Sequence, residues 1–277
     1  MSAKLRVGSV PYLVGRPLDL GLEREPGIEF MRAVPARLVD GLRDESLDVA
    51  LVSSIELFRQ PGYRYLEGMA VAGRGHVGSV QMFLRKELAA VKSIALDPAS
   101  RTARTLIQVL LAEREGGPPA FLEVAAGQDP REAEADGWLR IGDEALREYL
   151  AIRDPEDRSL AHDGASHIYN PSAEWCTKTK LPFVFACWIV RPGVAIEPHL
   201  EAFRRSSLIG AAAAEELAAQ AAQEWLLPLQ ACREYLLEEC IYELGDEMHA
   251  ALTAFGCGAQ TIGLATSDRP RAIALDF

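Results

Sequence analysis

The chain has 277 residues, 49% of them hydrophobic and 25% charged, with a formal net charge of −11. It is long enough to bury two modest cores, and its acidity excludes a general affinity for nucleic acid or an anionic membrane, since both need a basic surface. Met1–Gly15 carries no apolar core of signal-peptide length, and the longest apolar run, Leu181–Val190, is too short to span a bilayer.

Taken in chain order, the first third alternates strands and helices. Leu5–Val10 reads as a buried strand stopped by Pro11, and Arg16-Pro17-Leu18 starts a helix with proline near its first turn. Ile28–Val34 is a second strand. Pro35 opens a helix with Leu38 and Leu42 on one face, and Asp48–Ser53 is a short apolar strand. Strands separated by helices imply a parallel sheet, whose ligands sit beyond the carboxyl ends of the strands. Ser9 and Ser53-Ser54 stand at those ends. His76–Arg85 reads as a longer strand, followed by a strand at Lys92–Leu96 and a helix over Ser100–Arg114 with Ala103, Leu106, Ile107, Leu110 and Leu111 at helical spacing. Phe121–Val124 and Trp138–Ile141 are further strands, Glu144–Leu150 a helix, and Leu181–Val190 a long apolar strand. From Glu197 to Phe255 the pattern is almost purely helical, and Leu229, Cys232, Leu236 and Cys240 form one stripe of core residues. The 261–277 tail fits no element.

Five widely spaced cysteines without a C-x-x-C pair point to reduced thiols in a cytoplasmic protein, and five histidines without an H-E-x-x-H pattern give no metal site. Two α/β series joined by two long strands suggest a chain that enters a second lobe and returns. The same pattern equally describes one doubly wound domain.

Four motifs narrow that choice. They are V-G-S-V-P-Y-L-V-G-R-P-L at Val7–Leu18, G-S-V at Gly78–Val80 followed by an apolar stretch and Arg85, L-D-P-A-S-R-T at Leu96–Thr102 with I-G-D-E-A-L at Ile141–Leu146, and E-W-x-x-x-T-x-L-P-F-V-F-A-x-W at Glu174–Trp188. Together they resemble the chorismate dehydratase family of the futalosine route to menaquinone. The resemblance implies a periplasmic-binding-protein-like type II α/β fold: two lobes, 1–83 with 190–277 and 84–189, joined by two crossover strands with an interlobe cleft. It implies a cytoplasmic carbon–oxygen lyase, a hydro-lyase that removes water from chorismate to give 3-[(1-carboxyvinyl)oxy]benzoate without cofactor or metal. The partner is then a small anionic substrate, with no nucleic acid and no membrane insertion, and a homodimer, if any, is weak. In this family the substrate's own enolpyruvyl carboxylate is thought to act as the base, so the protein's task is orientation and charge stabilisation by fixed donors.

Each candidate residue has a plainer alternative. Ser79 stands where the family has a substrate-contacting serine and is the candidate catalytic residue; otherwise it is a small residue for tight packing. Ser100, Arg101 and Thr102 open a helix after a strand and offer N–H groups, hydroxyls and a positive helix end to a carboxylate, or Ser100 simply caps the helix. Ser9, Tyr12, Ser53 and Ser54 bind one end of the ligand or serve as turn and cap residues. Arg16 makes a bidentate carboxylate contact or is solvated. Gly142 allows close backbone approach, with Asp143 as N-cap. Trp175 and Thr179 are placed near the cleft mouth. Cys187 is a core residue, not a nucleophile, and His162 and His167 are surface histidines.

One position departs from the family: Val14 replaces the asparagine that follows Y-L and holds the substrate. A lost polar contact to a charged group costs on the order of 1.5–3 kcal/mol. Asn170, where many relatives have aspartate, is a candidate substitute donor. The competing reading is a non-catalytic cytosolic small-anion binding protein of the same fold. The sister dihydroxynaphthoate synthase is disfavoured because its C-P-N-D-T motif is absent after Ser9.

Overall fold

The computed structural model describes residues 4–153, 165–267 and 269–275. The apolar runs become strands where expected: β1 (Leu5–Ser9), β2 (Ile28–Arg32) and β3 (Val49–Ser53). Between them lie a short α1 (Arg16–Asp19) and α2 (Pro35–Arg43), which has proline in its first turn and buries Leu38, Val39 and Leu42. Each such buried leucine contributes about 1.5–3 kcal/mol. The helix packs close because β1 carries Gly8, where a Cβ would meet Leu38 at 2.6 Å and Leu47 at 2.8 Å. α3 (Glu56–Arg59) leads to β4 (Arg64–Gly73), a ten-residue strand that the sequence pattern did not reveal.

The chain then builds β5 (Val80–Leu84), β6 (Ser93–Leu96), α4 (Thr102–Leu111), β7 (Ala120–Glu123), β8 (Gly137–Ile141), α5 (Gly142–Arg153), β9 (His167–Tyr169) and α6 (Pro171–Thr179). It returns through β10 (Phe183–Val190), α7 (Leu200–Ala212), α8 (Ala214–Trp225), α9 (Leu229–Arg233), β11 (Cys240–Glu243), α10 (Glu247–Thr261) and β12 (Ala272–Ile273). The expected helical stretch is therefore interrupted. A π-helical segment at Glu234–Glu239 runs into β11, so Cys240 lies on a strand; Cys232 and Leu236 are core, whereas Leu229 is exposed. The tail, too, has a place, because β12 pairs parallel with β4.

Two compact units result, 1–73 with 181–277 and 74–180. The first holds a seven-stranded sheet in the order β11-β4-β10-β3-β1-β2, with β12 beside β4. β1 is parallel to β2 and β3, while β10 runs antiparallel between β3 and β4. The second holds a five-stranded sheet, β7-β6-β8-β5-β9, with β6 parallel to β7 and β8, and β5 antiparallel to β8 and β9. The boundaries differ from 83/84 and 189/190 for one reason: the two long strands each pair in a single sheet. Among the described residues, β5 pairs only with β8 and β9, which takes residues 74–83 into the second unit, and β10 pairs only with β3 and β4, which takes residues 181–189 into the first. The helix α6 and the strand β9 were also unforeseen.

In the first unit, Trp188 meets Phe203 edge-on at 5.0 Å and the β1 and β3 side chains Val7, Leu51 and Val52 are buried. In the second, Phe83 stacks on Trp138 at 5.8 Å over Ala95 and Ala165. Cys187 is buried, and burial pushes its thiol pKa up, as suits a core residue.

Candidate functional site

In the second unit the candidates gather at one end of the sheet. β6 and β8 are parallel and β5 is antiparallel to β8, so the start of β5 lies beside the carboxyl ends of β6 and β8. Ser79 precedes β5, Ser100–Thr102 follow β6, and Gly142 follows β8. Two hydrogen bonds join these segments. The Gly142 N–H donates to the Ser79 carbonyl (2.8 Å), and the Ile141 N–H donates to Asp97 Oδ2 (3.1 Å). Asp97 Oδ1 also accepts from the Ala99 N–H (2.8 Å), and burial pushes the carboxyl pKa up. Asp97 thus fixes the loop that carries Ser100. It lies inside the L-D-P-A-S-R-T motif, yet nothing in its spacing marks it as a clamp between two strands.

Arg101, not Ser100, is the cap residue of α4, and its side chain makes no cap hydrogen bond. Ser100 and Thr102 are buried beside it. The first N–H groups of α4 lack intrahelical acceptors by helix geometry and form the positive end of its dipole. Gly142 has φ +72, and an added Cβ there would meet nothing within 4 Å. Backbone conformation therefore requires glycine, and the space around it is open, but its N–H is already committed to Ser79. Asp143 stands inside the first turn of α5, not at the cap.

The Ser79 turn is held from behind. Asn170 caps α6, its Oδ1 accepting from the Ala173 N–H (2.8 Å), while its Nδ2 lies 3.0 Å from the Val77 carbonyl, 3.3 Å from the Val80 carbonyl and 3.1 Å from Gln81 Oε1. Its donors are engaged, so it is not a spare donor for a ligand and does not replace the asparagine missing at Val14. Gln81, fully buried, reaches His76 Nε2 at 2.9 Å. Trp175 is buried on α6, which packs against α4. A hollow of roughly 470 Å³ is lined by Tyr169, Trp175, Thr179 and residues of α4, and it touches none of Ser79, Ser100–Thr102 or Gly142. His167 is exposed on β9. His162 lies outside the described residues.

In the first unit, Ser9 ends β1 and Ser53 ends β3, its parallel neighbour. Ser54 is structural: its hydroxyl donates to the Val184 carbonyl (2.7 Å) and its N–H to the Phe185 carbonyl (3.0 Å), tying the end of β3 to β10. Tyr12 and Val14 are partly exposed in the turn before α1, and Arg16 begins that helix. Ser9 is fully buried beside Asp19. Among the described residues no group of three or more His, Cys, Asp or Glu is arranged to hold a metal ion, and no helix is long and apolar enough to cross a membrane.

The chain is similar to known proteins along nearly its whole length. A family described as menaquinone biosynthesis matches residues 5–259. A chorismate dehydratase of Thermus thermophilus is 32% identical over 214 residues, covering 72% of this chain and 78% of its own. A solved structure from Archaeoglobus fulgidus aligns with TM-score 0.71 at 17% identity, covering 94% of this chain and 98% of that one. The periplasmic aliphatic sulphonate binding protein of Escherichia coli aligns with TM-score 0.61 at 14% identity, covering 97% and 96%. The fold is periplasmic-binding-protein-like, and the chain belongs to the menaquinone biosynthesis family.

Proposed function

We propose that this protein is a chorismate dehydratase, a cytoplasmic hydro-lyase converting chorismate to 3-[(1-carboxyvinyl)oxy]benzoate. The observation that carries the reading is the family match over residues 5–259, with a relative of that name at 32% identity. None of the five cysteines is disulfide-bonded, in keeping with a reducing compartment.

The chemistry asks little of the protein beyond placement. The C3 proton passes to the enolpyruvyl carboxylate, the C4–oxygen bond breaks, and the hydroxyl leaves as water with that proton. The ring becomes aromatic, which makes the overall step strongly favourable. What remains is to hold a dianion in a reactive pose, a task for preorganised donors. Ser79, Ser100, Arg101, Thr102 and the open backbone at Gly142 are proposed as one donor set, and Ser9, Tyr12, Arg16 and Ser53 as another. Ser54 is left out of the second set, because its hydroxyl proton is already given to the Val184 carbonyl.

Val14 favours a second reading, a binding protein that holds the anion without converting it. Purified protein mixed with chorismate separates the two. Appearance of a product lighter by one water, with Ser79→Ala and Thr102→Ala each lowering turnover about tenfold or more, supports the enzyme. Tight chorismate binding with no product at high protein concentration leaves the second reading. Unchanged kinetics in both variants removes the proposed donor set.

A further inference from the structure

At the carboxyl ends of β1 and β2, around Ser9 and Arg16 of the second donor set, lies a polar knot with two further members, Asp19 and Arg32. Ser9 and Arg32 are register partners on these parallel strands. Arg32 Nη2 donates to Asp19 Oδ1 at 2.7 Å, and its guanidinium rests 4.9 Å over the Phe30 ring. Asp19 is fully enclosed, whereas the Arg32 side chain keeps 28% of its surface exposed. Arg16, one turn before Asp19 on α1, also acts on that carboxylate. Two enclosed guanidinium nitrogens here, Arg16 Nε and Arg32 Nε, have no hydrogen-bond partner, while the Ser9 hydroxyl lies against Asp19. One anion therefore faces two cations, a local surplus of positive charge in a chain of net −11. Asp19 cannot touch a ligand, because it is sealed, but the outer nitrogens of Arg32 can.

We propose that Arg32 joins Arg16 in a two-guanidinium receptor for a carboxylate group, and that Asp19 is the positioning residue that aims Arg32. The ligand class is a small ring-bearing dicarboxylate. That identity rests on the proposed function; the receptor itself rests on the geometry. A guanidinium fork matches a carboxylate in a way that an ammonium does not.

The test uses isophthalate as a probe in calorimetry, alongside chorismate turnover. Arg32→Gln and Arg16→Gln weaken isophthalate binding and raise the chorismate KM by about tenfold or more, and Arg32→Lys recovers only part of the loss. Asp19→Asn raises KM with little change in kcat, a split that a merely structural role does not produce. Where Arg32→Gln fails to fold, the Asp19→Asn/Arg32→Gln pair removes both charges together and gives the same reading. Turnover in the wild type with unchanged KM and isophthalate affinity in these variants overturns the receptor and leaves the enzyme standing. Isophthalate binding that depends on both arginines, in a protein that neither binds nor converts chorismate, does the reverse. A wild type that binds neither compound overturns both.

Discussion

Each unit sets a buried carboxylate against arginine, with opposite results. In the first, Asp48 receives the Arg6 N–H and Nε on Oδ2 at 2.9 and 3.0 Å, and Nη2 of Arg6 and of Arg191 on Oδ1 at 2.7 and 2.8 Å. Burial opposes its ionisation, yet these bonds outweigh it and hold the pKa below the ordinary value. In the second, Glu148 takes one hydrogen bond, from Trp138 Nε1 at 2.9 Å, and sees Arg140 Nε at 3.4 Å from its other oxygen. Arg140 is already bonded to Asp129, whose pKa falls well below the usual range. Burial therefore dominates at Glu148 and pushes its pKa up to about 7. Proximity to an arginine does not keep a carboxylate charged; the arginine's donors must also be available to it.

The largest expected effect lies in the first unit. Asp48→Ala leaves Arg6 and Arg191 without their shared acceptor and costs about 2–3 kcal/mol, discounted because Arg6 is partly exposed. Denaturant unfolding measures it, and a loss below about 0.5 kcal/mol would dissolve the contrast. Because the folded pKa of Asp48 is depressed, its contribution is present above the ordinary value of 3.8 and disappears as pH falls below it.

Glu148 has the opposite sign. Its folded pKa is raised, so stability is full below 4.5 and declines as pH rises through about 7. The shift corresponds to about 3 kcal/mol at most. Glu148→Gln keeps an acceptor for Trp138 and is expected to flatten this decline in melting curves recorded from pH 5 to 8. An unchanged slope would mean that Glu148 stays charged and well solvated.

Two smaller effects test the candidate site. Gly142→Ala forces φ +72 on a residue with a Cβ, costing about 1–2 kcal/mol, and disturbs the bond to Ser79. Turnover should fall more than thermal stability, and equal melting and kinetics would free Ser79 from this junction. Val14→Asn should leave turnover equal or faster, read from initial rates; a clear loss would mean that this turn holds substrate in a different way.

Much of the fold was legible where chemistry is local. Pro35 announced α2, and the apolar runs announced β1, β3 and β10. β4 was hidden because Glu67 and Gly68 break its apolar pattern, and its partners β10, β11 and β12 lie far along the chain. β11 was hidden because Cys240 continues a helical stripe that the π-helical segment ends. The motifs brought Ser79, Ser100–Thr102 and Gly142 into view. Asp97 and Asn170, which hold those segments in place, were missed as clamps because each grips backbone distant in sequence, and Gln81 because the Asn170 amide it accepts from lies 89 residues along the chain.

The first unit is discontinuous and the second is not. During synthesis, residues 74–180 leave the ribosome as a complete folding unit, while β1, β2 and β3 still lack β10, the strand that joins them to β4. The nascent first unit therefore carries an unpaired β3 edge until after Val190 has emerged, and its last strand, β12, is added only after α10 has been made.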